Sequence, residues 1–291
     1  MQIDGRKISE FIDKQVKKDA KKLGKKSNPL LTVFLVGTSD DQLSFIKIKS
    51  KIAAKIGVDY HLVHLKATPN FIALAKKIKE EVDKVEVKGI IIQQPLPAQL
   101  STDSIYDYIP TEKEIEGHRR KSIFHPPVGL AVLTIIKHIF AGKRIDKRLI
   151  VDLKKDVAFF RKTLKNKKIV LVGRGITGGK QIGKVLQEAK IPFIGINSVT
   201  QNPEEYLKAA DIIITAVGKK VIEPSMLKTG VILINVGLRK ENGKLKGDYE
   251  ESEIKDIASY YTATPGGLGP IDVSYLFKNL VEATKLQKNK R

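Results

Sequence analysis

The chain of 291 residues reads as an α/β protein built of two lobes. Three observations predict this. Short runs of β-branched and apolar residues alternate with amphipathic stretches, the pattern of parallel strands joined by crossover helices. One such run, Ile169 to Gly173, leads into a turn whose Gly173, Gly175 and Gly178 match G-x-G-x-x-G, with a helical pattern from Gln181 to Ala189 behind it. The length favours two domains over one. Glycines in that context let the main chain approach a pyrophosphate, whose charge then sits on the N–H groups at a helix N-terminus. The second lobe is therefore expected to be a nucleotide-binding one of Rossmann type.

Composition bounds the rest. A hydrophobic share of 42% is that of an ordinary globular protein. The absence of Cys excludes disulfides and thiolate metal sites and fits a reducing compartment; no metal is expected. The start, M-Q-I-D-G-R-K, lacks the apolar core of a signal peptide, and no apolar run approaches the roughly 18 residues of a membrane span. A cytoplasmic protein without membrane association is expected. The formal charge of +21 is mostly Lys, spread along the chain in pairs such as Lys17-Lys18, Lys21-Lys22 and Lys76-Lys77. Without Arg clusters or interleaved aromatics it reads as a solvated surface, not a nucleic-acid interface.

In chain order, Ile8, Phe11, Ile12, Val16 and Leu23 recur at helical spacing and predict a surface helix over residues 6–23. Leu31 to Val36 reads as a buried strand, Gln42 to Ile56 as a helix stopped by Gly57, and Asp59 to Leu65 as a second strand. His61 and His64 fall on opposite faces of that strand and so share no ligand. Phe71 to Val85 predicts a helix and Gly89 to Gln93 a third strand. Leu130 to Phe140 predicts another helix. Residues 141–168 form a long basic connection in which Val151 to Phe160 has no assigned role. The second lobe continues with strands at Pro192 to Ile196, Asp211 to Val217 and Val231 to Val236. Gly266, Gly267 and Gly269 read as a flexible loop. Val273, Leu276, Phe277, Leu280 and Val281 predict a closing amphipathic helix capped by Asp272.

Three features of the first lobe fall at strand C-termini, where open α/β sheets place their sites. Phe45 and Lys49 are one turn apart on one helix face. Gln93 is a polar residue closing an apolar strand. Glu114-Ile-Glu-Gly117 is a turn. Each also has a plain structural reading, as a solvated lysine, a strand cap and a tight turn.

Together, and in this order, they resemble the bifunctional methylenetetrahydrofolate dehydrogenase/cyclohydrolase family. The resemblance runs from Val36-Gly37 through Phe45-Ile-Lys-Ile-Lys49 and Gly89-Ile-Ile-Ile-Gln93-Gln-Pro-Leu-Pro97. It continues through Glu114-Ile-Glu116-Gly117 and Gly173-Arg-Gly175 to Pro265-Gly-Gly-Leu-Gly-Pro270. It implies that Lys49 is the catalytic lysine, that Gln93 positions it, and that Phe45 and Glu116 stand where the family has a stacking tyrosine and a pterin-anchoring aspartate. Gln42 and Gly175 stand at two serine positions, and Asp272 at a threonine. Pro265, Gly266 and Gly267 are implied in substrate binding, and Gly173, Arg174, Gly175, Gly178, Ser198 and Leu238 in cofactor binding. The implied domains are a folate-binding catalytic domain, residues 1–140 with helix 273–291 packing back on it, and an NAD(P)-binding domain, residues 141–272, with a cleft between. The implied reactions are oxidation of 5,10-methylenetetrahydrofolate with NADP and hydrolysis of the methenyl product to 10-formyltetrahydrofolate, in a homodimer. For the hydrolysis Lys49 must be neutral part of the time, which burial and the Gln93 dipole would favour. Phe45 and Glu116 leave a dehydrogenase with weak or absent cyclohydrolase as an alternative. A binding relative without turnover is a third.

The cofactor can also be argued from the residues. An NAD-binding unit carries an acid at the end of its second strand, about 20 residues past the glycines, to hold the ribose 2′-hydroxyl. Here that strand ends in Asn197-Ser198, with no carboxylate until Glu204. A 2′-phosphate is not repelled there, and Arg174 with Ser198 supplies a positive, hydrogen-bonding pair. NADP is expected in preference to NAD.

Overall fold

The structure is a computed structural model and describes residues 1–24 and 28–289. The chain opens with β1 (Gln2–Ile3), α1 (Gly5–Lys21), β2 (Leu30–Val36), α2 (Asp40–Ile56), β3 (Asp59–Leu65), α3 (Phe71–Val82) and β4 (Val87–Ile92). It continues through α4 (Pro127–Phe140), α5 (Leu153–Leu164), β5 (Ile169–Val172), α6 (Gly179–Glu188), β6 (Ile194–Ile196), α7 (Pro203–Ala209) and β7 (Ile212–Thr215). The last part is β8 (Ile232–Asn235), β9 (Arg239–Glu241), β10 (Lys244–Lys246), α8 (Glu251–Ile254), β11 (Tyr260–Thr262) and α9 (Leu268–Asn289).

Two compact units form. One takes residues from Ile12 to Pro127 and the segment from Val273 on; the other takes Met1–Phe11 and Val128–Asp272. The division at residue 140 drawn from the sequence thus differs from the unit boundary at Pro127. Residues 1–11 group with the second unit because β1 joins its sheet, Gln2 standing beside Tyr261. A strand of two residues carries no readable period.

The first unit holds a three-stranded parallel sheet in the order β3-β2-β4. Its central strand, LLTVFLV, is buried from Leu31 to Val36, as a strand covered on both faces must be. Phe34, Leu74, Ile78, Ile90, Ile92 and Tyr106 share the core beneath α3. Helix α2 ends at Gly57 in the left-handed region, with φ of 87°. Helix α3 starts on the side chain of Asn70, which accepts the N–H of Ala73, and stops at Val82. Helix α9 closes the unit. The Asn279 amide donates to the carbonyls of Ile115 and His125 at 2.8 and 3.1 Å, and Leu280 fills the space beside Gly89.

The second unit is a six-stranded parallel sheet in the order β1-β11-β8-β7-β5-β6. From β5 the chain steps outward to β6 and then returns to β7 on the other side of β5. That reversal makes the C-terminal ends of β5 and β7 a crevice for ligands. The connection 141–168 contains α5, capped by Asp152 and tied to α4 through Lys137 and Asp156 at 2.7 Å, both largely buried. Asn242-Gly243, with φ of 50° and 74°, makes the tight turn of the β9–β10 hairpin.

Two expectations at the chain's end are corrected. Helix α9 begins at Leu268, so Asp272 lies inside it and is not its cap, and Gly269 is helical. Pro270 falls in the first turn, where a missing N–H is harmless. Gly267 is not a flexible loop residue either. It is buried, its N–H donates to the carbonyl of Ala263 at 3.0 Å, and a Cβ on Gly5 would come within 1.7 Å of its oxygen.

Candidate active site

In the first unit the ends of β2 and β4, the face of α2 and the turn after Glu114 converge on Lys49. Gln93 follows directly on β4; its N–H extends the ladder to the carbonyl of Phe34 at 2.9 Å, which fixes its backbone. Its side chain, 8% exposed, accepts from Lys49 Nζ at 2.8 Å and donates to the Gln94 carbonyl at 2.8 Å. The amide dipole is thereby oriented with its oxygen toward the lysine. Phe45 sits one turn before Lys49, half-buried, with a flat face and no hydroxyl.

The loop behind Gln93 is braced by residues that sequence reasoning missed or gave no role. Gln42, 5% exposed, donates to the Pro95 carbonyl at 2.6 Å. Gln94 donates to the Tyr106 hydroxyl at 2.9 Å and accepts the N–H of Leu96 at 3.0 Å, across a cis Gln94–Pro95 bond. The Q-x-P-L-P run was the available signal. Which groups would brace it was not.

Glu116 is placed by its neighbour. Glu114 is 1% exposed, and its carboxylate accepts the N–H of Glu116 at 2.8 Å and of Arg119 at 3.3 Å, closing the turn. Gly117 sits at φ of 78°, with Pro126 where a Cβ would go, so the turn requires glycine. Glu116 Oε1 then faces Lys49 Nζ at 4.0 Å, and Oε2 faces His118 Nε2 at 3.9 Å. The His118 ring stacks on Tyr106 at 4.7 Å. Burial pushes the Glu116 carboxyl up to about 7; the Lys49 charge pulls it down and the Glu114 charge adds to the push. Glu116 therefore exchanges a proton near neutrality, beside a lysine held in place. His118 is the site residue for which the sequence offered no signal, because its place depends on the fold of the turn.

The second site lies in the other unit, at the ends of β5, β6, β7 and β8. Gly173 has φ of 103°, and a Cβ there would come within 2.6 Å of the Ala216 carbonyl oxygen. A Cβ on Gly179, the first residue of α6, would come within 2.0 Å of the Gly173 carbonyl oxygen. Gly178 is the N-cap of α6, and Gly175 is exposed with open space around it. The steric demand for glycine thus falls on 173 and 179, with 175 free of it. Such a cradle, closed by backbone and opening on a helix N-terminus, suits a pyrophosphate. Arg174 is exposed and donates to the Gly195 carbonyl at 3.3 Å, which lays its guanidinium over β6 just before Asn197 and the exposed Ser198. Asn197 is engaged in its own turn, accepting the N–H of Val199 at 3.1 Å. Leu238, just beyond β8, is 38% exposed. The residues present fit a dinucleotide, and the residues that follow β6, Asn197 to Thr200, include no acid to repel a 2′-phosphate. Pro265, Gly266 and Gly267 precede α9 in this same unit, and Arg6 lies 3.0 Å from where a Cβ on Gly266 would be.

A lysine–amide–carboxylate site in one α/β unit and a glycine cradle at the switch point of another define a two-unit protein of the dinucleotide-binding class. A family model described as the tetrahydrofolate dehydrogenase/cyclohydrolase catalytic domain matches residues 3–116, and the NAD(P)-binding domain of the same family matches residues 152–288. The "Bifunctional protein FolD" of Staphylococcus epidermidis is 31% identical over 300 residues, covering 98% of this chain and 97% of its own. That of Staphylococcus carnosus is 31% identical over 293 residues with the same coverage. The crystal structure of the bifunctional FolD enzyme of Campylobacter jejuni superposes with a TM-score of 0.85 at 26% identity, over 98% of this chain and 99% of its own. The Trypanosoma brucei FolD structure, complexed with NADP cofactor and inhibitor, shares the fold at a TM-score of 0.76 and 24% identity, over 100% and 98%. The chain belongs to the tetrahydrofolate dehydrogenase/cyclohydrolase family.

Proposed function

We propose that this chain oxidises 5,10-methylenetetrahydrofolate to the 5,10-methenyl cation and hydrolyses that cation to 10-formyltetrahydrofolate, with NADP as the cofactor. The observation that carries the reading is Lys49, held at 2.8 Å by Gln93 and facing Glu116 at 4.0 Å, in a chain of this family. NADP, when bound, supplies the acceptor for the hydrogen and electron pair that leave the methylene carbon. Gly173, Gly175, Gly178 and the start of α6 would hold its pyrophosphate, Arg174 and Ser198 its 2′-phosphate, and Leu238 would pack beside it.

For the first step the chain need only place the substrate, since the reacting carbon lies between two nitrogens that support the cation. Phe45 offers a face for the pterin ring and Glu116 an acceptor for its N–H donors, and the family resemblance assigns Pro265, Gly266 and Gly267 to substrate binding as well. In the second step water adds to the cationic carbon and loses a proton. As the hydroxyl left on that carbon gives up its own proton to become the carbonyl, the bond from the carbon to N5 breaks and N5 takes up a proton, leaving the formyl group on N10 and one proton released overall. Lys49 and Glu116, facing each other at 4.0 Å, are the groups placed to receive and return those protons. The product suits one-carbon metabolism and purine biosynthesis, and the resemblance supports a cytoplasmic homodimer. Among the described residues no helix is long and apolar enough to cross a membrane.

Phe45 favours a second reading, a dehydrogenase with weak hydrolysis, because it lacks the hydroxyl that would orient Lys49. One two-part assay decides. NADPH absorbance should rise on adding methylenetetrahydrofolate, and the methenyl chromophore should then decay. Lys49→Met should abolish that decay while leaving NADP affinity unchanged; unchanged decay in the variant would overturn the role of Lys49.

A further inference from the structure

Asp248 belongs to neither set of site residues, yet it is fully buried, with 0% of its surface exposed. It follows the β9–β10 hairpin. Its carboxylate accepts the N–H of Val217 at 2.9 Å on one oxygen and of Gly218 at 2.8 Å on the other. Those two residues form the turn directly after Ala216, whose carbonyl backs onto Gly173 of the glycine turn. Asp248 donates its own N–H to Asn235 Oδ1 at 2.8 Å, and Thr215 donates its hydroxyl to the same oxygen at 3.0 Å. The Asn235 amide in turn donates to the Gly237 carbonyl at 2.8 Å. A Cβ on Gly237 would lie 2.2 Å from the Asp248 carboxylate, so the approach of this turn to the carboxylate is what demands glycine there.

One carboxylate and one amide therefore lock the turns after β7 and β8 to each other. Those turns present Val217 and Leu238, 39% and 38% exposed, at the carboxyl ends of the strands where the nucleotide belongs. A buried carboxylate adds little net stability when an apolar side chain would fill the same space. Here it supplies what an apolar group cannot, acceptors for N–H groups that a strand-end turn leaves unpaired.

We propose that Asp248 is a positioning residue for the nucleotide, setting the turn after β7 against the glycine turn and so governing NADP affinity without touching the reacting atoms. The proposal rests on the nucleotide-binding reading above. It separates the two activities, because methenyl hydrolysis consumes no nucleotide.

Asp248→Asn keeps the size of the side chain but turns an NH2 group toward backbone donors. NADP Kd, measured by titration of NADPH fluorescence, should rise at least tenfold, while methenyl hydrolysis stays within twofold. Amide exchange at Val217 and Gly218, measured without nucleotide, should accelerate at least tenfold. Thr215→Val, which keeps Asp248 but removes the hydroxyl that bonds Asn235 and supports the Asp248 carboxylate, should raise Kd several-fold with hydrolysis again intact. If Asp248→Asn does not fold, Thr215→Val decides by the same two readouts. A Kd within twofold of the unmodified protein, or hydrolysis lost in step with NADP affinity, overturns the proposal. If the unmodified protein binds no NADP, the nucleotide reading fails on its own. The exchange rates then still report whether Asp248 holds the turn, and unchanged rates overturn that.

Discussion

At the scale of single residues, the chemistry turns on small displacements of charge. Glu116 carries one more methylene than the aspartate it replaces in the family pattern, and the turn built on Glu114 delivers it between Lys49 and His118. Its carboxyl, pushed up to about 7 by burial, ionises near neutrality. Anchoring the pterin donors requires the carboxylate, so the KM for methylenetetrahydrofolate should fall as pH rises from 6 to 8. Glu116→Gln should show a flat profile, and a flat profile in the unmodified protein would refute the anchoring role. The same shift has a stability consequence. Between its ordinary value and about 7 the folded chain holds a proton that the unfolded chain has lost, so stability declines as pH rises through that window. Glu116→Gln should therefore gain in Tm over the unmodified protein above pH 7 and lose that advantage near pH 5. Arg174 is the residue proposed to read the cofactor's 2′-phosphate. Arg174→Ala should weaken NADP binding by about 1.5–3 kcal/mol, the contribution of a charged hydrogen bond, and weaken NAD far less. Equal losses for the two cofactors in parallel titrations would show that Arg174 does not read the 2′-phosphate.

At the scale of elements, the glycine turn shows how a motif and its steric cause can part. The pattern in the sequence marks Gly173, Gly175 and Gly178, whereas the backbone leaves no room at Gly173 and Gly179. Gly179→Ala would drive a Cβ into the Gly173 carbonyl and force α6 away from β5. It should lower stability by about 1–3 kcal/mol, the usual cost of overpacking. Gly175→Ala, with open space around it, should stay within about 0.5 kcal/mol, as exposed substitutions do. Thermal unfolding of the two variants tests the ordering, and equal effects would contradict the cradle geometry. Much at this scale was legible beforehand. The strand at Leu30–Val36 was readable because burial on both faces makes a continuous apolar run, and the helix at Asp40–Ile56 because burial of one stripe writes a period into the residues. Strands β1 and β11, of two and three residues, are too short to carry a period, and their pairing partners lie far away in the chain. The Asn242-Gly243 turn signal was in plain sight, but its flanking strands, R-K-E and K-L-K, have no apolar face.

At the scale of the whole molecule, the charge of +21 sets the conditions under which anionic ligands arrive. Lysines spread over the surface sum to a field that raises the local concentration of polyanions, and salt screens it with a Debye length of about 10 Å at 0.1 M. NADP and folates both carry several negative charges. Their kcat/KM values should therefore drop several-fold between low salt and 0.5 M, mainly through KM. A salt-independent kcat/KM would show that the lysines serve only solubility.

The sequence by itself determined the family, the alternation of strands and helices, the identity of Lys49, Gln93, Phe45 and Glu116, and the lack of an acid after β6. These are local matters: period, turn chemistry and the order of motifs along the chain. Only the tertiary structure decided that residues 1–11 group with the second unit, that α9 starts at Leu268, and which groups Glu114, His118 and Asp248 meet. Each of those rests on a partner distant in the chain or on space that another backbone occupies. A carboxylate reads the same in sequence whether it faces solvent or accepts buried N–H groups, because only the packed fold removes the water that would otherwise satisfy them.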